Sequence, residues 1–297
     1  MSGYENLIEE LASKEKAEYS VKNARSPERL NGRYTLGRCI GIGGLSKVYE
    51  AIDAYAEHFQ DNRKLAVKLP SELLLQKKDV DAFMYAEYSH LLQLSHPGIV
   101  QVIDFGVDPA LKVPYIVLEH LQGRLLSEMP FSEFDNAQKK KLLASMFSII
   151  EYLNAQGIVH ADINPTNIMC LDDGTFRLFD FGISVNQRKQ QAFELNYKKI
   201  RAFNPLYAAP EILEGAGPDR KSDLFSLAVV LFELYSGRLP YTKRAVELRD
   251  KPLSRRDLNA LPLRLRCWFR DALKADAAKR PEKIPSMLRL HGRHRCQ

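Results

Sequence analysis

No stretch of this sequence is long and apolar enough to cross a bilayer, which takes about 20 consecutive apolar residues. The best candidate, "LFSLAVVLFELY" at 224–235, stops short and carries Glu233, so it reads as a buried helix. A secretory leader is also lacking: "MSGYENLIEELASKEK" opens acidic and polar, without the basic and apolar blocks of a signal peptide. Cysteine is scarce. Cys39, Cys170, Cys267 and Cys296 lie far apart, which argues against a zinc site or a disulfide framework and predicts reduced thiols in a cytosolic protein. Internal repeats and low-complexity tracts are missing too, so the chain is not a repeat array.

What is present is the composition of a globular protein: 297 residues, 45% hydrophobic and 27% charged, enough for one large domain or two moderate ones. The net charge of +6 gathers near the end, where Arg249 to Gln297 hold 14 Lys and Arg against 5 Asp and Glu. Such an excess suits an acidic docking partner, and it equally describes a solvated helical surface, the simpler reading. Aromatics do not interleave with the charges, which argues against nucleic acid.

Periodicity and glycine placement divide the chain. Residues 1–33 read as a short helix, with Leu7, Ile8 and Leu11 at helical spacing, and a linker ending "SPERLNG". Residues 34–120 read as a small β-rich lobe: a three-stranded meander over 34–70, a helix near 78–95, then strands "IVQVIDFG" and "PYIVLEH". Residues 121–297 read as a larger helical lobe, with helices expected at 132–156, 221–237, 262–275 and 284–291 around a β-rich stretch, 158–183. An α+β, bilobal chain of this kind has a cleft where its lobes meet.

The residues with reactive chemistry belong to that cleft. "GIGGLSKV" (41–48) sets Gly41, Gly43 and Gly44 in a hairpin whose backbone amides can approach phosphate oxygens. "LAVK" ends in Lys68, an ammonium able to hold the α- and β-phosphates, and Glu87 on the next helix is the partner that keeps it charged. In "HADINPTN" (160–167), Asp162 can accept the proton of an attacking hydroxyl and Asn167 can offer an amide oxygen to Mg2+. Asp180 of "LFDFGIS" can bridge Mg2+ to the β- and γ-phosphates. A second Asp-Phe-Gly, at 104–106, precedes the catalytic segment, and Asp104 is assigned to a turn.

In this order the motifs resemble those of the protein kinases, most closely the bacterial eukaryotic-like (Hanks-type) serine/threonine kinases, over about residues 34–290. "YAAPE" (207–211), "KSDLFSLAVVLFEL" with Asp223, and "DAAKRP" with Arg280 distinguish this group from small-molecule kinases that share the His-x-Asp loop. The resemblance implies ATP and Mg2+, with the nucleotide lined by Ile40, Gly41, Gly43, Gly44, Val48, Ala66, Lys68, Glu119, Leu121 and Met169. It implies Leu118 as gatekeeper, 119–121 as hinge, and Leu91, Val102, His160 and Phe181 stacked as one spine. It also implies that Glu211 pairs with Arg280 and that Asp223 anchors the catalytic-loop backbone.

Two departures qualify the resemblance. Ala161 replaces the Arg that pairs with a phosphorylated activation loop, and the loop (180–211) holds Ser184, Tyr197 and Tyr207 but no Thr. Activity independent of loop phosphorylation is therefore expected. Asn164 replaces the Lys that touches the γ-phosphate. Losing a unit charge at about 4 Å costs on the order of 4 kcal/mol at an effective dielectric near 20, or roughly a thousandfold in rate. Asn204, in place of the usual Thr, is expected to pair with Asn164; Lys198, Lys199 and Arg201 read first as a solvated basic stretch and second as a replacement charge. Thr166 stands where tyrosine kinases place their loop cation, which favours Ser/Thr specificity.

The function expected is a cytoplasmic serine/threonine protein kinase acting on protein substrates, with Asp162, Lys68, Glu87 and Asn164 at its catalytic centre. A pseudokinase scaffold or nucleotide sensor is the alternative that Asn164 raises, and a small-molecule kinase is the third reading. An exported effector stays open as a location. A homodimer through the small lobe follows from the resemblance alone. With no sensor segment expected, the input signal would come from residues 1–33, from a partner, or from nowhere.

Overall fold

The computed structural model describes residues 29–61, 63–188, 203–249 and 251–285. Its first lobe is an antiparallel sheet of β1 (Tyr34–Ile42), β2 (Ser46–Asp53), β3 (Lys64–Pro70), β4 (Val102–Asp108) and β5 (Val113–Glu119). The spatial order is β1-β2-β3-β5-β4. Two short helices, α1 (Ala54–His58) and α2 (Glu72–Leu75), precede the longer α3 (Val80–Leu92).

Register sorts the side chains of this sheet. Val48 lies opposite Lys68, Lys68 opposite Ile116, and Ala66 opposite Leu118. Directly opposed residues share a face and side chains alternate along a strand, so these five point the same way. Val67, Tyr115 and Val117 point the other way, into a separate small core closed by Leu30 and Tyr34. Asp104 serves that outer core. It lies within β4 beside a bulge, where it accepts from Tyr34 Oη at 2.7 Å and Arg33 Nη1 at 3.2 Å. The turn expected at Asp104 is thus replaced by a strand position, because its carboxylate is the partner of two polar groups on the segment that enters β1.

The second lobe starts with β6 (Gly123–Leu125) and the 21-residue α4 (Asn136–Gln156). Helix α4 starts later than the sequence pattern suggests because Asp135 takes the N-cap: it accepts from Gln138 N, and the Gln138 side chain accepts from Asp135 N. Gly157, at φ +75°, supplies the left-handed end. The strands β7 (Ile158–Val159), β8 (Ile168–Leu171), β9 (Phe176–Leu178) and β10 (Val185–Asn186) follow, then α5 (Pro210–Leu213) and α6 (Arg220–Ser236). Helix α6 is buried on every side from Ser222 to Phe232, which is why its sequence reads as one apolar run. Among the described residues, no helix is long and apolar enough to cross a membrane.

The rest of the lobe is more broken than expected. Pro262 precedes a single 3-10 turn, so the helix foreseen at 262–275 narrows to α8 (Arg266–Ala272), after α7 (Arg255–Asn259). The helices expected near residues 7–11 and 284–291 lie outside the described residues, apart from Ile284 and Pro285. Cys267 is disulfide-bonded, contrary to the expectation of four reduced thiols. Cys39 and Cys170 are free.

The lobes are stitched together by backbone. Val100 N donates to Leu178 O at 3.0 Å and Leu178 N to Gly98 O at 2.7 Å. A Cβ on Gly98 would fall 2.7 Å from the Ile149 side chain, so only glycine lets this linker lie against α4.

Glu211 and Arg280 close the base of the second lobe. The Arg280 side chain is fully buried, and all five of its N–H donors are used. Two reach Glu211 at 2.6 and 2.7 Å, and three reach the carbonyls of Lys274, Lys221 and Ala275. The guanidinium also stacks 4.7 Å over Phe225. A lysine cannot reproduce this fork. Arg280→Lys should cost about 3–5 kcal/mol in urea unfolding; a loss under about 1 kcal/mol would show that the pair is peripheral.

Candidate active site

The cleft face of the sheet delivers Lys68. Its ammonium lies 2.6 Å from Glu87 Oε1, on α3, and 2.7 Å from Asp180 Oδ1, in the second lobe. Burial works against the charge on Lys68, but Asp180 and Glu87 outweigh it and raise the pKa of the ammonium. Burial also pushes Glu87 upward against the pull of Lys68. For Asp180 burial pushes up as well, and the Lys68 charge reverses it, so the carboxylate sits below its ordinary range. Gly182 gives this cluster its room: a Cβ there would lie 3.2 Å from Asp180 Oδ1 and 3.5 Å from Glu87 Oε2.

The His160–Asn167 segment is built around strain. Ala161 and Asp180 hold left-handed backbone, with φ +70° and +64°, at about 1–2 kcal/mol each for residues with a Cβ. What compensates at Ala161 is the buried Asp223, which accepts from His160 N at 2.7 Å and Ala161 N at 2.8 Å. Burial lifts the Asp223 carboxyl to about 7 even against those two donors. The His160 ring packs edge-on against Phe181 at 4.6 Å, and burial drives its pKa down to about 4. The neutral ring donates from Nε2 to Phe179 O at 3.1 Å and accepts from Asp162 N at Nδ1. Leu91 and Phe181 are buried in the main core, Val102 packs against that core, and His160 meets it through the Phe181 ring.

Asp162 is partly buried. Burial raises its pKa to about 6, against the Asn204 backbone N–H and the amide of Asn167. Asn204 N donates to Oδ1 at 2.9 Å and Asn167 Nδ2 to Oδ2 at 2.8 Å. Because Asn167 spends its amide N–H on Asp162, its amide oxygen is left for another ligand. Phe179 N, next to Asp180, donates to Asn167 O at 3.0 Å, which ties the two candidate metal ligands together through the backbone.

Asn164 departs from expectation. It is fully buried and caps its own loop: Nδ2 donates to Asp162 O at 3.2 Å, and Oδ1 accepts from Thr166 N at 2.8 Å and Thr166 Oγ1 at 2.5 Å. Asn204 instead accepts from Leu206 N at 3.1 Å, so the expected Asn164–Asn204 pair is not formed. Both side chains satisfy nearer backbone donors, as short amides do in turns. Tyr197, Lys198, Lys199 and Arg201 lie outside the described residues.

The remaining nucleotide-lining positions frame the cleft. Gly41 lies opposite Val48, Met169 pairs with Leu125 and Arg177, and Leu118 and Ala66 are buried. Ile40 is 39% exposed on β1. Glu119 accepts from Gln101 N at 2.8 Å, which holds the start of the hinge, and Leu121 packs against the main core.

The loop glycines test whether a phosphate chain fits. None of Gly41, Gly43 and Gly44 has left-handed φ. A Cβ at Gly44 would meet nothing within 4 Å, and at Gly41 and Gly43 only ordinary contacts, the nearest at 3.7 and 3.6 Å. Nothing within the described chain demands glycine there, and the three positions leave open space beside the hairpin. Among the described residues no group of three or more His, Cys, Asp or Glu could hold a metal. Asn167 and Asp180 carry oxygens of the kind Mg2+ takes, one or two from protein at a time.

Two polar contacts here escaped sequence reading: the Asn204 backbone N–H on Asp162, and His90 Nδ1, 2.8 Å from Ser184 Oγ. The first is invisible because it belongs to the main chain. Gly44→Ala should leave urea stability within about 1 kcal/mol, yet weaken ATP affinity in a calorimetric titration; unchanged affinity would mean that the loop does not touch phosphate.

The protein kinase domain family matches residues 34–280. A probable serine/threonine-protein kinase of Streptomyces coelicolor, SCO3848, is 32% identical over 219 residues, covering 72% of this chain and 32% of that protein. The DNA damage-responsive serine/threonine-protein kinase RqkA of Deinococcus radiodurans is 31% identical over 215 residues, 71% of this chain and 31% of its own. The serine/threonine-protein kinase PknB of Mycobacterium tuberculosis is 31% identical over 227 residues, 73% and 34% respectively. This chain spans about a third of the length of these relatives. Glycine hairpin, Lys68–Glu87 pair, catalytic loop, Asp180 and the Glu211–Arg280 clasp thus occur in a matched domain, and the chain belongs to the protein kinase family, of Hanks type.

Proposed function

We propose that this chain is a MgATP-dependent protein kinase that phosphorylates Ser or Thr hydroxyls of protein substrates. The observation that supports it most is the buried Lys68 ammonium, shared by Glu87 and Asp180 across the cleft. Lys68 and the loop amides hold the phosphates. Asp180 and Asn167 are the residues that would hold Mg2+, which would supply positive charge to the phosphate chain when bound. Asp162 takes the proton of the substrate hydroxyl as that oxygen bonds to the γ-phosphorus and the bond to the bridging oxygen of ADP breaks.

The same geometry supports activity without activation-loop phosphorylation. Ala161 has no cation to offer a phosphate, yet its backbone is held by Asp223, and Asp162 is held by Asn204 N. A nucleotide-binding pseudokinase is the second reading. The observation behind it is that Asn164 is consumed by its own turn and brings no charge to the γ-phosphate.

Labelled ATP separates the two. The full chain should phosphorylate a generic basic protein, phosphatase pretreatment should leave the rate unchanged, and Asp162→Ala should lower it by about 100-fold or more. Nucleotide binding without transfer would favour the pseudokinase. Because Asp162 acts as base only when ionised and burial lifts it to about 6, kcat/KM should fall about tenfold per pH unit below that point. A profile flat down to pH values near the usual carboxylate range would remove Asp162 from the role of base.

A further inference from the structure

Helix α3 grips the Asp-Phe-Gly segment twice. Glu87 does so through Lys68 and Asp180. Three residues on, on the same helix face, His90 meets Ser184. Both are buried, at 7% and 2% exposure, so Ser184 is closed to a modifying enzyme although it follows the metal motif. The direction of the bonds follows from proton counting. Ser184 Oγ donates its one proton to Phe181 O at 2.6 Å, so at 2.8 Å it accepts from His90 Nδ1–H. A chain of hydrogen bonds therefore runs from the helix, through the serine hydroxyl, to the carbonyl next to Asp180.

Asp180 needs such support. Its φ of +64° is strained for a residue with a Cβ, and strain of this kind persists only where the surroundings over-determine it. The usual source of order after the metal motif, a loop phosphate paired with a catalytic-loop arginine, has no counterpart at Ala161. We propose that His90 and Ser184 are positioning residues that hold Asp180 in its metal-binding geometry and so let the unphosphorylated chain engage MgATP. This rests on the kinase reading above.

The test is calorimetric titration of the full chain with a non-hydrolysable ATP analogue, with and without Mg2+, beside labelled-phosphate transfer. His90→Phe and Ser184→Ala should each erase about tenfold of the affinity gained from Mg2+, with Mg2+-free affinity unchanged. Their kcat should fall while KM for the protein substrate holds. His90→Asn, which returns an N–H donor on the same branch, should restore most of both. Retention of the full Mg2+ gain in His90→Phe would overturn the proposal. Equal loss in His90→Phe and His90→Asn would also overturn it, because the histidine would then be filling space. Should the wild type show this binding pattern and transfer no phosphate, the positioning role stands and the kinase reading falls.

Discussion

The structure depends on keeping one ammonium charged where water is scarce. Lys68 is almost completely buried, and its charge survives because two carboxylates from different parts of the chain converge on it. Removing one member of such a group leaves uncompensated buried charge, at a cost of about 3–5 kcal/mol. The count of charges matters as much as the contact. One ammonium between two carboxylates leaves the cluster net negative, and the carboxylate pulled down in pKa is Asp180, the half-exposed one.

Much of the remaining architecture fixes where those three groups stand. The five-stranded register sets Lys68 beside Val48 and Ile116 on the cleft face, and α3 presents Glu87 to it. Buried α6 supplies Asp223, whose two accepted hydrogen bonds stabilise left-handed backbone at Ala161 and so place Asp162. Burial also lifts Asp162, to about 6, a value that suits the proposed role of base near neutrality.

The side chains that converge on this cleft were legible as candidates in the sequence, because the chemistry proposed for them needs particular residue types at fixed spacing. Glycine loop, Lys68, Glu87, Asp162, Asn167 and Asp180 could each be named before their positions were known, and both lobes followed from strand and helix periodicity. What was hidden is instructive. Asp104 looked like a turn residue because "DFG" looks like a turn, whereas tertiary partners Arg33 and Tyr34 keep it in a strand. Asn164 and Asn204 looked like a pair because the family places those positions together, but each side chain found a backbone donor two residues away. His90 carries no local signal at all. Its role exists only once α3 and the segment after Asp180 are packed together.

The most direct measurement of the central claim is a crystal structure of the full chain with Mn2+ and a non-hydrolysable ATP analogue, using anomalous scattering to locate the metal. The charge argument predicts Mn2+ bound by Asp180 and Asn167, with Lys68 keeping Glu87 and turning from Asp180 to the phosphates. Mn2+ found elsewhere, or a Lys68–Asp180 contact still closed with nucleotide present, would contradict it.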